Sequence, residues 1–198
     1  VASLSPVQIG NLALSNVGSK SSIEDFNGTS TEAKRLKQWY TPARMQVLEA
    51  FDWSFARKRD DMALHGDDPP DQWTYRYQYP ADCIAMRRIW NPVGEAADAV
   101  PFSLETSGGT KSVLTDLDEA VAIYTYDVTD SGLFSLHFSL TLSYLIGSYI
   151  AMSLTGKRTI KQDSLQIYNQ MILSAPAQNA NENVDKPERQ ADWIEGRA

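Results

Sequence analysis

One cysteine, Cys83, and two histidines, His65 and His137, are all that 198 residues offer for thiol or imidazole chemistry. A single cysteine excludes an internal disulfide, and two histidines leave a Cys/His structural zinc site short of ligands. Catalytic motifs are missing too. Neither a G-x-S-x-G elbow nor an H-E-x-x-H pair occurs. Gly156-Lys157 has Ala151 where a phosphate-binding loop needs glycine and Arg158 where it needs Ser or Thr. Basic charge is scarce: 18 Lys+Arg stand against 25 Asp+Glu, a formal net charge of −7. Affinity for DNA phosphates comes from clustered Lys and Arg, so this composition disfavours a DNA clamp. The start lacks a basic segment followed by a continuous apolar run, and no signal peptide is expected.

What is present is unevenly spread. Residues 61–130 carry 13 acidic and 4 basic side chains, which exceeds the imbalance of the whole chain. The same stretch is where the apolar pattern changes from helical to stranded. The expectation is an α+β protein, mainly α. Residues 1–60 and 128–176 would form a helical bundle, 61–127 an inserted small antiparallel β-sheet, and 177–198 an extended C-terminal arm.

In the first part, Ser5-Pro6 is an N-cap and first-turn pair, and Gly18 stops the helix it opens. Thr29 or Ser30 can cap a second helix running to about residue 50. Ala33, Leu36, Trp39, Tyr40, Ala43, Val47, Leu48 and Phe51 recur at i, i+3, i+4 spacing on one side, with Lys34, Lys37, Arg44 and Glu49 elsewhere. Pro42 inside that pattern should kink or divide the helix. In the middle, Trp73, Tyr75, Tyr77 and Tyr79 alternate with Thr74, Arg76 and Gln78, the period of a strand. Cys83 to Trp90 reads as a second strand, closed by Asn91-Pro92. Phe102 to Glu105, Ser112 to Leu114 and Val121 to Tyr126 read as further strands. Gly108-Gly109 makes a hairpin turn.

Ser131 to Gly156 holds no charged residue at all. Its length suffices for a membrane span, yet seven Ser, Thr or His residues between 135 and 153 interrupt the run. Over 135–143 it also alternates like a strand. A central helix over 133–155, packed on several sides, is the expected outcome, with no membrane contact. Ser135, Ser139 and Ser143, four apart, would let another helix come close. A last helix from Ile160 should end near Pro176, followed by a polar arm that closes on Trp193 and Ile194.

Candidate chemistry is thin. Cys83 within a strand reads as packing, and His137 as a hydrogen-bonded core histidine. Glu49 and Asp52 beside Phe51 and Trp53 can be drawn as the carboxyl pair of a glycoside hydrolase, which needs roughly 5–9.5 Å between them; solvated surface carboxylates are the simpler reading. Arg57, Lys58 and Arg59 beside Asp60 and Asp61 read as a surface ion-pair cluster. The tyrosine face of 73–79 is core rather than a base-stacking platform. No cofactor or metal is expected.

The order of features carries more than any one of them. Leu12-Ala13-Leu14-Ser15-Asn16-Val17-Gly18 precedes a Ser/Ile/Asp loop. Tyr40-Thr41-Pro42-Ala43-Arg44 leads to Phe51-Asp52-Trp53-Ser54-Phe55-Ala56. Then come Trp73, Tyr75-Arg76-Tyr77 and Tyr79-Pro80-Ala81-Asp82-Cys83. Val113-Leu114-Thr115-Asp116, Tyr124 to Val128-Thr129-Asp130, Phe134, Phe138 and Leu154-Thr155-Gly156 follow. Taken in sequence, these resemble the head-to-tail adaptor of short-tailed bacteriophages, the tail tubular protein A type, over nearly the whole chain. Trp193-Ile194 with Arg197 is similar to the short tryptophan-containing end of that family.

The resemblance implies a structural virion protein, not an enzyme, made in the host cytoplasm and built into the head–tail junction. Members form a dodecameric ring between the portal ring and the tail nozzle, with double-stranded DNA passing through the lumen without specific binding. Some relatives are linked to cell-wall lysis, so a muramidase-like lytic enzyme is the alternative. On this expectation Trp193, Ile194 and Arg197 dock onto the portal. Ser135, Ser139, Ser143 and Tyr144 on the apolar helix take part in subunit packing.

Overall fold

A computed structural model describes residues 3–91 and 100–182. The order of its elements is α1 (Pro6–Asn16), α2 (Thr31–Ala50), β1 (Arg57–Asp61), β2 (Tyr75–Gln78), β3 (Cys83–Trp90), β4 (Ser103–Ser107), β5 (Thr110–Thr115), β6 (Val121–Tyr126), α3 (Leu136–Thr155) and α4 (Arg158–Glu182). The described residues form an α+β fold with four α-helices and two small antiparallel sheets.

The helix ends follow local chemistry. Ser5 and Gln8 form a reciprocal cap at the start of α1: the Gln8 N–H donates to Ser5 Oγ at 3.2 Å and the Ser5 N–H to Gln8 Oε1 at 2.8 Å. At its other end Gly18 adopts φ +74°, and the Ser19 N–H returns to the Leu14 carbonyl. Ser30 caps α2 and Ser135 caps α3. Gly156, at φ +66°, turns the chain from α3 into α4.

Two prolines sit inside helices, and neither divides its helix or ends it. α2 runs unbroken through Pro42, and α4 runs through Pro176 to Glu182. Both rings lie on exposed faces, where water can serve the carbonyl that each proline leaves without a donor. The adjacent residues, Ala43 in α2 and Ala175 in α4, are buried and hold each helix to the core. The arm expected from residue 177 is therefore helical as far as 182, and its remainder lies outside the described residues.

Helix α3 sits against α1, α2 and α4, with eleven of its twenty residues buried. By length and apolarity it is the one helix among the described residues able to cross a membrane, and 61% of that window is buried inside the protein, as in a core helix. Helix α1 packs on it at Gly147 and Ser143. A Cβ on Gly147 would stand 3.5 Å from the Ala13 carbonyl and from Val17 Cγ1, and Asn16 donates to Ser143 Oγ at 3.0 Å. An aromatic cluster of Trp53, Phe55, Phe134 and Phe138, with edge-on and tilted contacts, closes the same core at the start of α3.

The strands form two three-stranded sheets, ordered β1-β6-β3 and β2-β5-β4, rather than the one expected. Strands β3 and β6 fall on the residues that the sequence marked. β1 does not: Arg57–Asp61 has no apolar residue, so periodicity could not reveal it, and the change from helix to strand comes at Arg57. In the hairpin, Ser107 pairs with Thr110 across Gly108 and Gly109, both at positive φ. Tyr77, Ile89, Val113 and Ala120 form a second, smaller core between the sheets.

Three side chains tie the layers together. Arg44, which the apolar pattern of α2 leaves off its core side, is buried. Its guanidinium donates to the Val128 carbonyl and meets Asp127 Oδ1 at 2.7 Å, where the chain leaves β6. Arg87 on β3 donates through Nη2 to the carbonyls of Leu48, Glu49 and Phe51 and through Nε to Thr125 Oγ1. Arg57 grips Asp52 with two hydrogen bonds, at 2.8 and 3.1 Å.

Candidate functional site

The positions named for subunit packing turn inward. Ser139 and Ser143 are buried within the chain, and their hydroxyls donate back to the carbonyls of Ser135 and Leu140. Ser135 caps the helix through the Phe138 N–H. Tyr144 is half-buried against the helical core. The small-residue surface of α3 thus receives α1 of the same chain, at Ser143 and Gly147. What α3 and α4 leave uncovered is different: Leu133, Leu136 and Leu173 are all more than half exposed. They share one end of the α3–α4 pair, because His137 Nε2 bonds the Met171 carbonyl at 2.9 Å there. Sequence periodicity missed this surface, since an all-apolar helix gives no sign of which side its neighbours occupy. Trp193, Ile194 and Arg197 lie outside the described residues.

Glu49 and Asp52, the carboxyl pair drawn from the sequence, have different surroundings. Asp52 is held by the two-pronged contact from Arg57, and Glu49 lies exposed on the last turn of α2. Cys83 is half-buried, and burial pushes its thiol up, away from the thiolate a nucleophile requires. Among the described residues no three His, Cys, Asp or Glu side chains come together as metal ligands.

A polar cluster does form on the first sheet. Tyr124 Oη donates to Asp82 Oδ1 at 2.8 Å, and Lys58 Nζ reaches Asp82 Oδ2 at 3.1 Å and Asp60 Oδ2 at 3.2 Å. Burial alone would raise the Asp82 carboxyl, but the Tyr124 hydroxyl and the Lys58 ammonium outweigh it and hold it below the usual range. Burial, with Asp82 beside it, pushes the Tyr124 hydroxyl up to about 12. A tyrosine so reluctant to ionise is a hydrogen-bond donor, not a base. The cluster joins β1, β6 and the residue before β3, and its role is to hold the sheet.

The central strand of that sheet is buried from Val121 to Thr125, and exposed charge lies on its flanking strands at Arg59, Asp61 and Arg88. The register sets Arg59, Ile123 and Arg88 in one row and Asp61, Val121 and Trp90 in the next. The guanidinium of Arg59 lies 4.6 Å from the Trp90 ring centroid. A cavity of about 460 Å³ opens beside the second row, lined by Asp61, Met62, Trp90, Glu119, Ala120 and Val121.

Neither a family model nor a curated protein matches the chain.

Proposed function

We propose that this chain is a head-to-tail adaptor of a short-tailed bacteriophage, a structural protein that forms a ring between the portal and the tail nozzle. The ordered series of motifs from Leu12 to Gly156 carries this reading. In it, the four helices are the adaptor's bundle and the two sheets its β-rich insertion.

Two physical features support it. An adaptor must bury surface against neighbours, and Leu133, Leu136 and Leu173 offer apolar side chains with no cover among the described residues. The acidic excess of residues 61–130 suits a wall past which DNA slides, because like charges repel. The segment 183–198, with Trp193, Ile194 and Arg197, is assigned to portal docking.

Electron microscopy of the chain mixed with a portal ring tests the proposal. An added layer of matching symmetry is expected, and a portal ring left bare would overturn it. Removing residues 183–198 should abolish that layer while the melting transition persists. A cell-wall zymogram separates the lytic alternative: a clearing zone lost on Glu49→Gln or Asp52→Asn would replace the adaptor with an enzyme.

A further inference from the structure

Asn27 is the only one of eight asparagines in the chain that is followed by glycine. Asn27 and Gly28 lie exposed in the loop between α1 and α2, on the wall of an open cavity of about 420 Å³. The side-chain amide of Asn27 is held at both ends. Lys37 Nζ, from α2, donates to its Oδ1 at 2.9 Å, and its Nδ2 lies 3.3 and 3.4 Å from the two carboxylate oxygens of Asp25. Gly28 is confined, because a Cβ there would stand 3.3 Å from Ala33 Cβ and from the Asp25 carbonyl oxygen. Packing against the first turn of α2 thus favours glycine at 28, and a residue with no side chain leaves its amide nitrogen unscreened.

From this geometry we propose that Asn27 is a site of spontaneous modification, losing its side-chain nitrogen as ammonia, and that Lys37 speeds the loss. The Gly28 amide nitrogen, stripped of its proton by hydroxide, bonds to Asn27 Cγ. The carbonyl electrons move to Oδ1, where the Lys37 ammonium meets the new negative charge. As the C=O bond re-forms, the Cγ–Nδ2 bond breaks, and the nitrogen takes a proton from water and leaves as ammonia. Water from the open cavity then splits the five-membered imide at either carbonyl, giving aspartate or a β-linked aspartate. Nothing is oxidised or reduced. One contact opposes the attack: the Gly28 N–H donates to the Asp25 carbonyl at 3.2 Å and must let go. That bond is long and neutral, whereas the Lys37 bond is short, charged and strengthens as the oxyanion forms, so the second outweighs the first. The inference uses no residue assigned above to the portal, and it stands without the adaptor reading.

Peptide mapping of the full chain after storage in warm neutral buffer tests it. The tryptic peptide 21–34 holds no other asparagine. It should gain the mass of an amide-to-acid exchange before any other peptide does, and split into two products. Lys37→Met should slow this on the order of fivefold, well short of a buried oxyanion donor because water shares the site. Lys37→Arg, which keeps the charge, should retain the parent rate. In urea, where the Lys37 contact is gone, parent and Lys37→Met should react equally fast. A peptide that gains no mass, equal rates for the folded parent and Lys37→Met, a difference that persists in urea, or another asparagine reacting first would each overturn the inference. None of these outcomes bears on whether the chain adds a layer to a portal ring.

Discussion

Arg87 Nη2 lies 3.0 Å from the carbonyl oxygen of Leu48, so a strand residue closes the C-terminal end of a helix whose own last turn holds no basic side chain. The last carbonyls of a helix carry partial negative charge and lack intrahelical donors. One guanidinium supplies both needs, and it fixes the angle at which the sheets leave the helices.

Replacing Arg87 by Met should cost about 2 kcal/mol, the scale of hydrogen bonds to a charged donor. Urea denaturation measures this directly. Lys at the same position should recover only part, because an ammonium cannot reproduce the planar fork that spans Thr125 and three carbonyls. A loss no larger than that of an exposed arginine would show that the cap is idle.

Arg44→Met removes a buried guanidinium and leaves the Val128 carbonyl and Asp127 without their donor. A loss of about 3 kcal/mol is expected. The double variant Arg44→Met/Asp127→Asn should be milder than the sum of the two single changes, since the second removes the charge that the first strands.

Alkaline pH should destabilise the fold. The Tyr40 and Tyr124 hydroxyls are pushed up to about 12 from an ordinary 10.0, chiefly by burial, and those of Tyr77, Tyr79 and Tyr168 are raised in the same way. A folded value above the unfolded one means stability is intact below pH 10 and falls as pH rises towards 12, because the unfolded chain ionises first. Tyr124→Phe should flatten that slope by one proton in pH-dependent melts. At the acid end, Asp82 is depressed, so its contribution is present above the unfolded carboxyl value and disappears as pH drops through the lower folded one.

Gly147 separates propensity from packing. A Cβ there meets its neighbours at 3.5 Å or more, so Gly147→Ala should fit and stabilise α3 by up to about 1 kcal/mol. Gly147→Leu should push α1 away and cost about 2 kcal/mol. Thermal melts of the two variants should shift in opposite directions, and equal shifts would refute the close approach of α1.

Much of this architecture is legible in the residues themselves. Val121 to Tyr126 and Cys83 to Trp90 announce themselves because β-branched and aromatic residues between turn signals leave little else to form. The buried helix emerges from the charge gap between Ser131 and Gly156. The features that escaped depend on distant partners. Arg57–Asp61 becomes a strand only because β6 offers it a ladder, and no local preference of five charged residues could say so. Arg44 looks like a solvent-facing residue until Asp127 and Val128 arrive from over 80 positions away. The burial of Ser139 and Ser143 escaped for the same reason: small serines invite a helix, but the sequence does not say whether it comes from the same chain or another.

The pairing of β1 with β6 joins Arg57 to Thr125, and this has a consequence for the order in which the protein takes shape. α3 and α4 are joined by two residues and the β4–β5 hairpin by two, so both can zip up from local contacts as soon as their residues are available. The first sheet must wait: its edge strand finds its place only after the whole intervening chain has been gathered in, and long closures of this kind are slow. Until then Arg57–Asp61 is a charged stretch with nothing apolar to stick to a stranger. A strand that appears in no pattern of its own is also one that cannot pair wrongly while it waits.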